Sequence, residues 1–262
     1  MNKICAVTSF SPAGFNEYGK TMVETFIKYW PDSVKLVVYL DDEIADKPVS
    51  KNVEYRLLEN PVLDSFKQRN QHRPEANGLG SKRTPEGKCN FTFDAVKFSH
   101  KVFAVIEVYE KDDVDVLIWL DGDSKTHSPV TVERIESWVP ATCFAGFLDR
   151  PWLYTETGFH IFRTKHVTAK DFFARWKQYY SDDSIFQLEA WTDCHTYDAA
   201  RRQFPQKHWY NLSPRNNHPH PFINGCLGEV MDHMKGPRKK KGSSHWRDLV
   251  SKHNSEYWKT VK

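Results

Sequence analysis

The 262-residue chain is 39% hydrophobic and 14% aromatic, enough for a sizeable α/β core, and its formal charge is only +3. That balance excludes a disordered chain and one whose overall charge demands a polyanion, and no run of about eighteen apolar residues offers a membrane span. The five cysteines, Cys5, Cys89, Cys143, Cys194 and Cys226, form no CxxC pair, which argues against a disulfide scaffold or a zinc knuckle. With no secretory h-region in the opening residues, a cytoplasmic protein is the expectation.

Residues 3–9 read as a buried strand. Residues 17–30 read as a helix with Met22, Val23, Phe26, Ile27 and Trp30 on one face, and residues 34–40 as a second strand. A strand–helix–strand opening predicts a parallel sheet, which residues 53–58 would extend. Residues 67–89 are polar and without period, and read as a long loop carrying Lys67, Arg69, Arg73, Lys82, Arg83 and Lys88. A helix over 93–109 follows, then the dense apolar run 114–120, the mark of a central strand covered on both faces. Beyond it the pattern predicts a short helix at 132–138, strands at 142–147 and 158–163, and helices at 168–180, 185–203 and 246–261. Residues 211–224 read as a loop rich in Pro, His and Asn.

The apolar run leads directly into Asp121-Gly122-Asp123. In an open parallel sheet, ligands bind beyond the carboxyl ends of the strands. Two carboxylates separated by a glycine can turn toward one point there and offer hard oxygen ligands to a divalent cation. The competing reading of Asp-Gly is a simple hairpin turn. Near the other end of the chain, His233-Met234-Lys235-Gly236-Pro237-Arg238-Lys239-Lys240-Lys241 combines an imidazole with clustered cations and a glycine. Such a segment suits a diphosphate, and equally a solvated charge run.

Together, DxD after a hydrophobic strand and a late HxxGxxK resemble glycosyltransferases of the GT-A fold, especially the glycogenin-like, galactinol-synthase-like group. The resemblance implies a Rossmann-like α/β fold with a mixed, mainly parallel sheet flanked by helices. It implies one catalytic domain over residues 1–262, with 1–123 as the nucleotide-binding half and 124–262 as the acceptor half with a C-terminal phosphate-binding loop. By the same resemblance, Asp121, Asp123 and His233 would bind Mn²⁺ or Mg²⁺. Gly236 and Lys239 would hold the diphosphate of a nucleotide sugar, UDP-linked, with Arg238 assisting, and Thr8, Ser9, Tyr18 and Lys97 would contact the nucleotide, where Gly122 leaves room for a ligand. The group's reaction retains anomeric configuration.

Further candidates come from the residues themselves. Gly158 could line a sugar pocket or make a turn. Asp193 and Glu156 could act as a base or hold donor-sugar hydroxyls, and either could instead be structural. The acceptor would bear a hydroxyl, and the two basic clusters leave hydroxymethylated bases of phage-type DNA open as one such acceptor. A nucleotidyltransferase and a non-catalytic nucleic-acid-binding module are the alternatives. The first lacks a good glycine-rich phosphate loop, and the second is disfavoured by the modest net charge.

Overall fold

The computed structural model describes residues 2–79, 89–214 and 220–261. The chain opens with β1 (Ile4–Phe10), a one-turn helix α1 (Pro12–Gly14) and a π turn at Phe15–Gly19, which runs into α2 (Lys20–Tyr29). β2 (Val34–Leu40), β3 (Val53–Leu57) and α3 (Pro61–Asn70) follow. The long helix α4 (Ala95–Lys111) then leads into β4 (Val116–Leu120), β5 (Ser124–Thr126) and α5 (Val132–Ser137). The remainder comprises β6 (Ala145–Leu148), β7 (Glu156–Arg163), α6 (Ala169–Ser181), α7 (Asp193–Arg201) and β8 (Trp209–Asn211). It closes with α8 (Pro221–Asn224), β9 (Met231–His233), α9 (Arg238–Lys241) and α10 (Glu256–Thr260).

Among the described residues, seven strands form one sheet in the order β3-β2-β1-β4-β7-β6-β8, and β5 pairs with β9 in a separate ribbon. β3, β2, β1 and β4 run parallel, β7 is antiparallel to both β4 and β6, and β8 is parallel to β6. The expected mixed, mainly parallel sheet flanked by helices is therefore the fold. Alternate residues of β4 feed opposite cores: Val116, Ile118 and Leu120 pack on the α2 side, Leu117 and Trp119 on the α4 side. Every residue of β4 is buried, and each buried Val, Ile or Leu contributes about 1.5–3 kcal/mol. Because β1 lies between β2 and β4, the chain reverses its direction of growth at β1, and a crevice opens beyond the carboxyl ends of β1 and β4.

The loop expected over 211–224 ends in the short helix α8, which Pro221 starts, and three further expectations fail for identifiable reasons. The stretch 67–89 is not loop throughout: α3 continues to Asn70 and a 3₁₀ turn covers Pro74–Asn77. Asn60 caps the helix through the N–H groups of Val62 and Leu63, Pro61 starts it, and Leu63 and Phe66 are buried beneath it. Lys82, Arg83 and Lys88 lie outside the described residues. The continuous helix expected at 185–203 is a 3₁₀ turn at Ser184–Gln187, an extended link and α7. Trp191 is drawn out of helical register by packing against Phe93 and Phe186, and its N–H goes to the Thr92 carbonyl at 2.8 Å. The amphipathic helix expected at 246–261 is a 3₁₀ turn at Trp246–Asp248 followed, after a break, by α10. The Asn224 carboxamide accepts from Val250 N at 2.8 Å and Ser251 N at 3.0 Å, taking the donors a continuous helix would need. Among the described residues, no helix is long and apolar enough to cross a membrane.

Candidate metal centre

The chain leaves β4 into a tight turn, with Asp121 N–H on the Gly158 carbonyl and Ser124 N–H on the Asp121 carbonyl, both at 2.9 Å. A Cβ on Gly122 would fall 2.2 Å from Phe10 Cε1, so only glycine lets the turn lie against the end of β1. The β5–β9 ribbon pairs Ser124 with His233, and Met234 N–H donates to the Asp123 carbonyl at 3.0 Å. This pairing brings a histidine from late in the chain to the two aspartates. His233 Nε2 stands 3.1 Å from Asp123 Oδ1 and 3.5 Å from Asp121 Oδ2. Asp121, Asp123 and His233 each offer one ligand atom, all within 4.8 Å of one another. The imidazole lies over Gly158, where a Cβ would come within 2.4 Å of Cε1.

Two carboxylate oxygens and an imidazole nitrogen are a donor set that could hold a divalent cation. Asp123 and His233 are buried, so their positions are held by packing. Beside them a cleft of about 460 Å³ provides room for further oxygen ligands. Ser9, Tyr18, Lys97, Gly122, Asp193 and Lys239 are among the residues that line it.

Cations crowd these carboxylates. Lys101 Nζ lies 2.8 Å from Asp121 Oδ1 and 2.7 Å from Asp193 Oδ2, and Lys239 Nζ lies 2.9 Å from Asp123 Oδ2. Burial works against the charge on Lys101, but Asp121 and Asp193 outweigh it and raise its pKa. Burial likewise opposes a charged His233, yet Asp123 and Asp121 push it up to about 9. The same contacts hold both aspartates below the usual carboxylate range in spite of their burial. A cluster so poised for ionised carboxylates has the electrostatics of a cation site.

Glu156 forms a second layer. It is buried, pairs with Lys235, and lies 3.4 Å from Arg150 Nη1 and 3.8 Å from His233 Nδ1. Burial would raise its pKa, but Lys235, His233 and Arg150 bring it down to about 2.

The fold thus gathers Asp121, Asp123, His233, Lys239, Tyr18 and Asp193 around one cleft. Lys239 also lies 4.6 Å over the Tyr18 ring. Thr8 is fully buried one residue inside the cleft-lining Ser9. Gly158 supports His233 and Glu156 backs it. Arg238 is turned to Asp248, at 2.5 Å and 2.7 Å. Gly236 takes a φ of 56°, the left-handed region that favours glycine, at an open turn.

Sequence reasoning chose Lys97 on α4 and missed Lys101, one turn later. The available signal was a lysine on the apolar stripe formed with Phe98, Val102 and Val105. The pairing of Lys235 with Glu156 had no local signal.

No protein-family model matches the chain, and no curated protein matches it. Among solved structures, mouse xyloside xylosyltransferase 1 in its apo form is similar, with a TM-score of 0.49 and 10% identity, covering 80% of this chain and 85% of that one. At that depth of likeness, the site's own geometry must carry the functional reading.

Proposed function

We propose that the chain is a metal-dependent glycosyltransferase of the GT-A, glycogenin-like type, moving a sugar from a nucleotide-sugar donor, UDP-linked, to a hydroxyl acceptor. The observation that carries this reading is the convergence of Asp121, Asp123 and His233 at the carboxyl end of β4, beside a cleft with Lys239 at its edge. Asp121, Asp123 and His233 would hold Mn²⁺ or Mg²⁺, which when bound supplies Lewis-acid stabilisation of the departing diphosphate. Lys239 adds a point charge for the diphosphate once its carboxylate partner turns to the cation. Tyr18, Ser9 and Lys97 line the part of the cleft assigned to the nucleotide, and Gly236 lets backbone approach the phosphates.

Asp193 and Glu156 are the two carboxylates that the sequence offers as candidates for proton transfer. Asp193 is engaged by Lys101, and Glu156 by Lys235 and Arg150. With both carboxylates already held by cations, the reading takes the retaining route of the glycogenin-like group, which asks less of an acceptor-activating base. Asp193 lines the cleft and is better suited to accepting hydrogen bonds from donor-sugar hydroxyls. For the acceptor, Lys240 and Lys241 are exposed and form no ion pair among the described residues, unlike Lys235, Arg238 and Lys239. That favours an anionic hydroxyl compound, of which hydroxymethylated DNA is one.

A donor-hydrolysis screen across nucleotide sugars, with Mn²⁺ and with Mg²⁺ and repeated with hydroxymethylated DNA, tests the reading. Metal-dependent release of UDP from at least one donor is expected. No hydrolysis of any nucleotide sugar, with or without acceptor, would overturn it.

A further inference from the structure

Asp121 offers two carboxylate oxygens, and the structure treats them differently. Oδ1 accepts from Trp119 Nε1 at 2.7 Å and from Lys101 Nζ at 2.8 Å. Oδ2 receives neither donor and faces His233 Nε2 at 3.5 Å. Two donors on one carboxylate oxygen use both of its lone pairs. That oxygen is closed to a further ligand, and the other is the one left toward the cluster.

The arrangement follows from strand geometry. Trp119 and Asp121 are two residues apart at the end of β4, so their side chains leave the strand on the same face. That face is covered by α4, the helix that supplies Lys101. Trp119 is 2% exposed and held in register opposite Val7 on β1 and His160 on β7. The Lys101 ammonium lies 5.1 Å from the centre of its indole ring. An indole N–H is a donor with no acceptor role, so its contact with Asp121 has one polarity only. Lys101 is itself fixed by Asp193 and by the Thr157 carbonyl. Both donors are therefore rigidly placed before any cation arrives.

We propose that Trp119 is a positioning residue of the metal centre: with Lys101 it holds Asp121 so that this carboxylate meets the divalent cation through Oδ2 alone. The inference rests on the metal-binding reading of Asp121, Asp123 and His233 and adds to it the denticity of one ligand and the group that sets it. Without the indole donor, only the Lys101 ammonium holds Oδ1, the carboxylate can turn about its Cβ–Cγ bond, and the ligand is less firmly pre-oriented. Groups of this kind, one shell out from a metal, typically change its affinity by about 10–100-fold.

The test uses the full chain and Mn²⁺ alone. Free Mn²⁺ is followed by electron paramagnetic resonance during titration of the parent and of Trp119→Phe, which keeps a buried ring and removes the donor. Melting temperatures of both are recorded without metal. Mn²⁺-minus-metal-free infrared difference spectra report the separation of the carboxylate stretches, with Asp121→Asn identifying the bands that belong to Asp121. The expected result is an Mn²⁺ Kd raised at least about 10-fold in Trp119→Phe, with a shift of the Asp121 bands from a monodentate to a bidentate separation. Unchanged affinity overturns the inference. So does weakened binding with unchanged Asp121 bands, which would mark Trp119 as packing only. If the parent itself binds no Mn²⁺, the metal reading falls and this inference falls with it, a result distinct from both of the others.

Discussion

Two basic stretches look alike in the sequence, and cations among their described residues do opposite things in the fold. In the first, Arg69 donates to both carboxylate oxygens of Asp183 at 3.0 Å and to the Tyr180 carbonyl at 3.1 Å, tying α3 to the end of α6. Arg73 lies 4.7 Å over the Phe186 ring and bonds the Asn70 side chain. These cations are part of the scaffold. In the second, Lys239 meets Asp123 of the candidate centre, and Lys235 meets Glu156, which backs it. The difference lies in what stands opposite. A partner that belongs to a helix end makes a clamp, and a partner that belongs to a candidate cation site makes a charge that could be exchanged for a ligand. Local charge density does not separate the two.

The strongest way to break this contrast is to remove a carboxylate of the second region. Asp123→Asn deletes an anionic ligand and should weaken Mn²⁺ binding by more than about 100-fold, beyond the usual effect of groups one shell further out. The fold should remain, since the side chain lies in a turn and not in either hydrophobic core. Titration calorimetry with a melting curve reads both, and unchanged Mn²⁺ affinity would place the cation elsewhere.

Lys239→Met sharpens the contrast. It should reduce UDP affinity in the presence of Mn²⁺ by about 10-fold or more, the size of one charge-assisted hydrogen bond. Mn²⁺ alone should bind at least as tightly as before, because the competing ammonium has gone. If UDP affinity does not move, Lys239 belongs with the scaffold cations of the first stretch.

The pH dependence follows from His233. Its pKa is raised from 6.5 to about 9, so its charged form stabilises the metal-free protein fully below pH 6.5, and that contribution is lost as pH rises through about 9. The melting temperature of the metal-free protein should fall across this window. Mn²⁺ replaces the proton between the same groups, so the fall should be shallower with metal present. A slope identical with and without Mn²⁺ would separate His233 from the cation.

The smallest effect belongs to the first stretch. Arg69→Ala should cost about 1 kcal/mol of stability, since the pair with Asp183 is part-exposed and screened by solvent. Mn²⁺ and UDP affinities should be untouched. A change in either would show that the two basic regions are coupled through α3 and α4.

The legible parts of this protein were those in which local pattern and tertiary fate agree. The apolar run through β4 forces a covered central strand, so the aspartates that end it had to emerge at the carboxyl edge of the sheet. The spacing of His233, Gly236 and Lys239 marked a second candidate segment, and the fold brings its His233 and Lys239 to Asp123, although nothing local says that β9 pairs with β5. Other features depended on distant groups. The chain around Val250 and Ser251 is apolar enough for a helix, but the Asn224 carboxamide takes its N–H groups. Trp191 leaves a helical register to pack with Phe93. Lys101 was hidden because a lysine on an apolar stripe usually runs its stem along the core and lifts its charge to water. Here the charge is kept inside by Asp121 and Asp193.

The most direct test of the central claim is anomalous diffraction from crystals of the full chain grown with MnCl₂ and UDP. One manganese peak is expected between Asp121, Asp123 and His233, at about 2.0–2.4 Å from a ligand atom of each, with the UDP diphosphate beside it and Lys239 moved from Asp123 to a phosphate oxygen. A manganese peak at another site, or UDP bound with His233 still on Asp123 and no metal between them, would contradict the account.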